Sequence, residues 1–372
     1  MRFDFRARKA IMKNFAVILA GGHGERFWPA SRKHKPKQLL RLFSDKTMLE
    51  ETISRCENLA SPEDIVISTG NHLKNLIQKE IGGLKDDNFF VEPIGRNTAP
   101  AIGFAAAKIV AQHGDGIMFV LSSDHLIRPV STFVEAIKAA GNLAETSDSL
   151  VLLGIEPSRP ETGYGYIEIG ELLDETDGFT AFDVARFKEK PNHFIAQEYF
   201  LDNKHLWNSG IFVWRAKCIL AEIEMYMPAL FAAISKYSET VGTESESAVL
   251  EDVFRKLTPI SIDYGVLEKS RNVAVLRAKF TWDDVGSYAA LERIIQKDHE
   301  GNVVIGDGVH PFDTYESTII NDSDGAIVAF GVSDLVVVRE KDVVLILHKT
   351  RISQIRDLLE KIKDDDDLKG YL

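Results

Sequence analysis

The chain has 372 residues, 45% hydrophobic and 27% charged, a composition that suits a soluble globular protein with a large core and excludes wholesale disorder. A formal net charge of −12 argues against nucleic acid or an anionic membrane as partner, and no apolar run approaches the ~20 residues that span a bilayer. Its two cysteines, Cys56 and Cys218, suit neither a disulfide framework nor a zinc site and point to a reducing cytoplasm.

Met1 to Ile11 is basic but lacks the apolar segment of a signal peptide. Met12 therefore reads as the natural start, and residues 1–12 as a disordered extension. Phe15-Ala-Val-Ile-Leu19 is a buried strand that empties into Ala20-Gly-Gly-His-Gly24, where almost no side chain obstructs approach to the backbone. N–H groups in such a turn can meet an anion. From Arg26 to Arg41 six Lys or Arg residues occur without an acid. Cations at that density call for a multiply anionic ligand, such as a nucleoside triphosphate. Two familiar glycine motifs do not fit: Phe27 stands where a dinucleotide fingerprint needs its third glycine, and Gly24-Glu-Arg replaces the Gly-Lys-Ser/Thr of a Walker A loop.

Strands then alternate with helices. Asp64–Thr69, Asn88–Glu92, Gly116–Leu121 and Leu150–Ile155 read as strands; His72–Ile81, Ala99–His113 and Thr132–Glu145 read as helices. This spacing implies a Rossmann-like α/β domain over 13–296, with a mixed, mainly parallel sheet whose ligands bind at the carboxyl ends of the strands. Tyr164–Ile169 and Val184–Glu189 alternate as antiparallel strands do, and Trp207–Trp214 returns to a strand. Residues 301–372 change texture to short strands resembling a rudimentary β-helix, with a hairpin around Glu340-Lys-Asp342, a terminal helix Ser353–Lys363 and an acidic tail.

Several polar groups fall where chemistry could use them, each with a purely structural alternative. Asp124 follows an apolar strand, where it could hold a cation or cap a helix. Lys190, in Glu189-Lys-Pro191, closes a strand and could point into the same cleft or into solvent. Glu161 and Asn208 lie beside glycines, as hydroxyl recognition or simple turns require. Asn97 and Thr98 cap a helix with Pro100 in its first turn.

Leu19-Ala-Gly-Gly-His-Gly-Glu-Arg26, followed by Lys35-Pro-Lys-Gln38, resembles the signature of the sugar-1-phosphate nucleotidylyltransferases, and Phe27-Trp-Pro29 resembles their mannose-1-phosphate guanylyltransferase branch. Ser123-Asp-His125, Glu161-Thr-Gly-Tyr-Gly165, Phe187-Lys-Glu-Lys-Pro191, Trp207-Asn-Ser-Gly210 and Asp284-Val-Gly-Ser287 extend the resemblance in motif order from Lys13 to Leu291. It implies transfer of GMP from GTP to mannose 1-phosphate, with Mg²⁺ on Asp124 and Asp284, and Asp283 a solvated or capping neighbour. Arg26, Lys37 and Lys190 become the catalytic cations. Ala20, Gly21, Gly22, Gly24, Asn97 and Thr98 become nucleotide contacts; Glu161, Gly163 and Asn208 become sugar contacts, with Asn192 and Asp263 as weaker candidates. A homodimer through the β-rich part is expected. His23, Glu25, Ser122, Ser123 and Tyr288 depart from the family's usual residues, and Glu25 should turn away from a triphosphate. Three competing readings are another nucleotide or sugar, a bifunctional enzyme with an added cupin that the chain is too short to hold, and a non-catalytic nucleotide-sugar sensor.

Overall fold

The computed structural model describes residues 12–22, 24–176 and 178–372. Residues 1–11 of the expected extension, and His23, lie outside the described residues.

In chain order the first half comprises β1 (Asn14–Leu19), α1 (Met48–Cys56), β2 (Ile65–Gly70), α2 (Asn71–Glu80), β3 (Phe89–Glu92), α3 (Thr98–His113), β4 (Ile117–Ser122), β5 (Leu126–Arg128), α4 (Val130–Ser147) and β6 (Leu150–Ile155). There follow β7 (Tyr166–Thr176), β8 (Phe179–Lys188), α5 (His193–Leu201), β9 (His205–Arg215), α6 (Ala216–Tyr226), α7 (Pro228–Ser238), α8 (Glu246–Lys256), β10 (Val273–Arg277), β11 (Thr281–Asp283) and α9 (Tyr288–Ile294). Nine strands form one sheet in the order β3-β2-β1-β4-β9-β6-β10-β8-β7. Alternation along the strands builds two cores. Ala16 and Ile18 of β1 and Phe119 of β4 face α1, α2 and α4, whereas Phe15, Val17 and Met118 face α3, α6 and α7.

The sheet is mixed, as expected, but not mainly parallel: four of its pairings run parallel and five antiparallel. Its parallel part holds β3-β2-β1-β4 and the β6–β10 pair; β9 enters antiparallel between β4 and β6. β10 and the β5–β11 pair escape sequence reading because each is short and none carries a turn signal at both ends. The register between β6 and β9 shifts around Ser209-Gly210, where Gly210 has φ +68°. Such a bulge bends a strand and re-aims its side chains, here next to Asn208.

The C-terminal part adds β12 (Val303–Ile305), β13 (Val309–Phe312), β14 (Thr318–Asn321), β15 (Ile327–Phe330), β16 (Leu335–Glu340), β17 (Val343–His348) and α10 (Ile355–Lys363). β12, β14 and β16 pair in parallel, as do β13 and β15, giving stacked rungs; β16 and β17 form the expected hairpin. A third core joins this part to the first loop, bringing Phe27, Trp28 and Leu40 against Val285, Tyr288, Ile320, Val338 and Ile355. The acidic stretch is exposed, but the residues after it fold back: Tyr371 and Leu372 pack on the third core, and Trp28 Nε1 donates to the Tyr371 carbonyl at 3.0 Å.

Candidate active site

The glycine turn and the cationic segment are built onto each other. Ala20 is buried, with its carbonyl accepting from Gln38 Nε2 at 3.2 Å and Thr69 Oγ1 at 2.8 Å. Gly21 and Gly22 are exposed, and a Cβ on either would meet nothing within 4 Å, so their backbone is open to a ligand. Gly24 has φ +68°, and a Cβ there would stand 2.2 Å from Lys37 Cβ. Both the left-handed backbone and the contact demand glycine.

Lys37 is buried, and its ammonium lies between the two expected metal ligands. Nζ is 2.7 Å from Asp124 Oδ2 and donates to the Asp284 carbonyl at 2.9 Å. Burial pushes the Asp124 carboxyl up, but Lys37 and His125 outweigh it, and the group stays below the usual carboxylate range. The Asp284 side chain is oriented by two donors to Oδ1, the Tyr164 hydroxyl at 2.6 Å and the Gly286 N–H at 3.2 Å. Val285, between them, has φ +48°, an outlier for a β-branched residue, and its side chain is fully buried in the third core. Arg26 Nη1 reaches the Gly286 carbonyl at 3.4 Å. Asp283, expected to be solvated or capping, is buried; it pairs with Arg293 at 2.8 Å and accepts from the Val285 N–H.

Among the described residues no cluster of three or more His, Cys, Asp or Glu forms a metal cage. Asp124 and Asp284 nevertheless offer two carboxylates of the kind Mg²⁺ takes, since it keeps several waters and needs few protein carboxylates beside substrate phosphates; Lys37 meets Asp124 at its carboxylate and Asp284 at its backbone carbonyl.

Beside this pair opens a cavity of about 200 Å³, lined in part by Thr98, Gly163, Tyr164, Asn208, Asp263 and Asp284. Grooves of about 520 and 610 Å³ exist elsewhere, and none of the expected site residues lines them. Asn208 donates from Nδ2 to Asp263 Oδ1 at 2.8 Å, and its own Oδ1 accepts from the Gly210 N–H of the bulge. Burial, then neighbouring Glu189, pushes the Asp263 carboxyl up to about 6. Lys190, at φ +44° and exposed, pairs with Glu189 Oε1 at 2.6 Å; burial lowers its pKa, but the Glu189 carboxylate wins and the net direction is upward. Glu161 is held by Arg159, whose Nη2 lies 3.1 Å from Oε2, and accepts the Gly163 N–H at 3.1 Å.

Two candidates lie off this cluster. Asn192 caps α5 through the Ile195 N–H at 3.1 Å and is exposed. Asn97 caps α3 through the Thr98 N–H at 2.8 Å, leaving its amide nitrogen exposed, while Thr98 Oγ1 accepts the Ile262 N–H and lines the cavity. Glu25 turns toward Arg356 of α10, with Oε2 3.6 Å from Nε.

Sequence reasoning missed three groups. His125 accepts from Trp282 Nε1 at 3.1 Å through Nδ1, so in the neutral ring Nε2 carries the proton; burial lowers its pKa, against the pull of Asp124. Tyr164 is wedged edge-on between Trp207 and Trp282, with ring centroids 5.1 and 5.0 Å away. Glu189 is buried with Oε2 unpartnered, close enough that a Cβ on Gly165 would stand 2.4 Å from it. The only signal for these was adjacency to Asp124, Gly163 and Lys190.

Residues 15–301 match the family described as Nucleotidyl transferase. The chain is 38% identical over 353 residues to a mannose-1-phosphate guanylyltransferase of Klebsiella pneumoniae, covering 94% of this chain and 74% of that protein. It is likewise 38% identical over 358 residues to one from Escherichia coli strain K12, covering 95% and 74%. A crystal structure described as a mannose-1-phosphate geranyltransferase from Thermus thermophilus matches with a TM-score of 0.84 at 33% identity, covering 95% of this chain and all of that one. From glycine turn to Asp284, the site lies within a match spanning most of the chain, which belongs to the nucleotidyl transferase family.

Proposed function

We propose that this protein transfers GMP from GTP to α-D-mannose 1-phosphate, releasing pyrophosphate and forming GDP-mannose. The observation that carries this is the convergence of Asp124, Lys37 and Asp284 beside a small cavity lined by Tyr164, Asn208 and Asp263; the relatives' named activity supplies the substrates. An oxygen of the sugar phosphate attacks the α-phosphorus in line, and the bond to the β-phosphate oxygen breaks. The attacking oxygen is already anionic, so no proton moves and no general base is required; positioning and charge compensation do the chemistry.

Arg26 and Lys37 neutralise the departing pyrophosphate, with the open N–H groups of Gly21 and Gly22 and the Gly24 turn below it. Lys190 holds the incoming phosphate. Thr98 and Asn97 take the nucleoside, while Glu161, Gly163, Asn208 and Asp263 face the sugar. Asn192 has its side-chain oxygen committed to α5, which makes it the weakest of these contacts. Asp124 and Asp284 hold Mg²⁺, which supplies charge stabilisation at the α-phosphate when bound. The catalytic part is 13–296, and 301–372 is a β-rich part through which two copies pair, exposed Phe312 and Phe330 standing opposite each other on β13 and β15. Among the described residues no helix is long and apolar enough to cross a membrane, and a cytoplasmic enzyme is consistent with two free cysteines.

The test is a substrate matrix: four nucleoside triphosphates against the 1-phosphates of mannose, glucose and fucose, with Mg²⁺, following pyrophosphate release. Turnover confined to GTP with mannose 1-phosphate is expected. Preference for another pair would discard the base and sugar contacts, and tight nucleotide-sugar binding without turnover would make the protein a sensor.

A further inference from the structure

Two of the cations that precede Lys37 in its loop, Arg32 and Lys35, engage the C-terminal sheets. Arg32, buried, donates through Nε to the Pro29 carbonyl at 3.2 Å, and through Nη2 to the Glu340 carbonyl at 3.3 Å and to Asp342 Oδ1 at 3.1 Å. Lys35 Nζ pairs with Asp322 and lies 3.4 Å from Glu340 Oε2. Reciprocal backbone hydrogen bonds between Arg32 and Lys35, 3.0 Å each, close the turn that presents both cations. Asp322 follows β14, Glu340 ends β16, and Asp342 lies in the β16–β17 turn.

Lys37 follows two residues later, within about 7 Å of chain from Lys35. On its far side Gln38 is tied to the Ala20 carbonyl. The catalytic ammonium is thus set between two anchors, one on the nucleotide turn and one on the C-terminal sheets. Glu340 is 1% exposed, and its Oε1 has no hydrogen-bond partner. A buried carboxylate with an idle oxygen is poor value for stability against an apolar side chain of similar size. Holding the cationic loop in one register is a role an apolar residue could not fill.

We infer that Lys35, Asp322 and Glu340 are positioning residues for Lys37, so that the C-terminal sheets are part of the catalytic apparatus. The inference rests on Lys37 facing the departing pyrophosphate. A displacement of about 1 Å at a reacting group costs roughly 100-fold in rate, so modest slack at Lys35 is enough to matter.

The test uses full-length Lys35→Met, Lys35→Arg and Asp322→Asn, with steady-state kinetics and hydrogen exchange of the segment 30–40. Lys35→Met is expected to lower kcat roughly 10- to 100-fold while the KM for each substrate stays within about twofold. Exchange in 30–40 should quicken while the rest of the protein keeps its protection. Lys35→Arg should restore most of the loss, and Asp322→Asn, at a half-exposed position, should show a smaller fall of the same kind. Unchanged kcat and unchanged local exchange would overturn the inference. So would equal losses in the Met and Arg variants accompanied by faster exchange throughout the protein. If the wild type proved inactive on GTP and mannose 1-phosphate, the functional reading would fail separately, and local exchange alone would decide whether Lys35 holds the loop.

Discussion

The two carboxylate oxygens of Asp284 are differently occupied: Oδ1 accepts from Tyr164 and Gly286, and neither donor engages Oδ2. Asp284→Asn should therefore lower turnover by orders of magnitude with the fold intact by circular dichroism; near-normal rates at saturating Mg²⁺ would remove the metal assignment. Tyr164→Phe keeps the ring between its tryptophans and deletes one donor. Such supporting contacts typically matter 10- to 100-fold to metal affinity or rate, so Mn²⁺ binding followed by electron paramagnetic resonance should weaken toward that range. Lys190 is exposed, and its Nζ donates to Glu189 Oε1 at 2.6 Å. Lys190→Ala should raise the KM for sugar phosphate about tenfold or more and leave that for GTP nearly unchanged, since it removes binding to one substrate. Asp124 and Lys190 were placed from the sequence at the ends of apolar strands, whereas Asp284 was singled out by the resemblance of its motif, since β11 was not read. His125 stands beside Asp124 and Tyr164 inside Glu161-Thr-Gly-Tyr-Gly165, yet their contacts are with Trp282 and, for Tyr164, Trp207, which no local pattern brings to them.

In the turn after β1, Gly24 leaves no room for a side chain. Gly24→Ala adds a Cβ onto Lys37 and forces an unfavourable φ, so it should cost about 1–3 kcal/mol of stability and displace the ammonium as well. Thermal unfolding together with kcat checks this: a full-rate, fully stable variant would contradict the packing described. The strand-turn-cation succession was readable as a phosphate site, and the alternation of short apolar runs with helices announced the sheet. The antiparallel entry of β9 and the bulge at Ser209-Gly210 were not readable, because pairing direction is set by partners far along the chain. Asp263 was named from the resemblance as a weaker sugar contact, but the π-helical turn it opens was not read.

At the scale of the molecule, the C-terminal sheets carry a titratable contact with the rest of the chain. Burial and its hydrogen bond with Asp322 push the Glu340 carboxyl up to about 7, with Lys35 opposing. Asp322 moves the other way: burial raises it, but Glu340 and Lys35 bring it below its ordinary value. A raised carboxyl contributes stability that is complete below its unfolded value, 4.5, and lost as pH climbs through about 7. A lowered one contributes above its unfolded value and is lost in acid. The melting temperature should accordingly fall between pH 6 and 8 in the wild type and change less in Glu340→Gln; parallel profiles would show that the pair does not titrate there. These contacts also bear on how the protein is made. Arg32, Lys35 and Trp28 meet their partners 310, 287 and 343 residues further along the chain. At roughly 5–20 residues per second, a ribosome leaves that segment without them for on the order of 15–60 s after it is synthesised. Late in that interval the nascent polypeptide already holds Gly24, Asp124 and Asp284 but lacks the C-terminal partners of Trp28, Arg32 and Lys35.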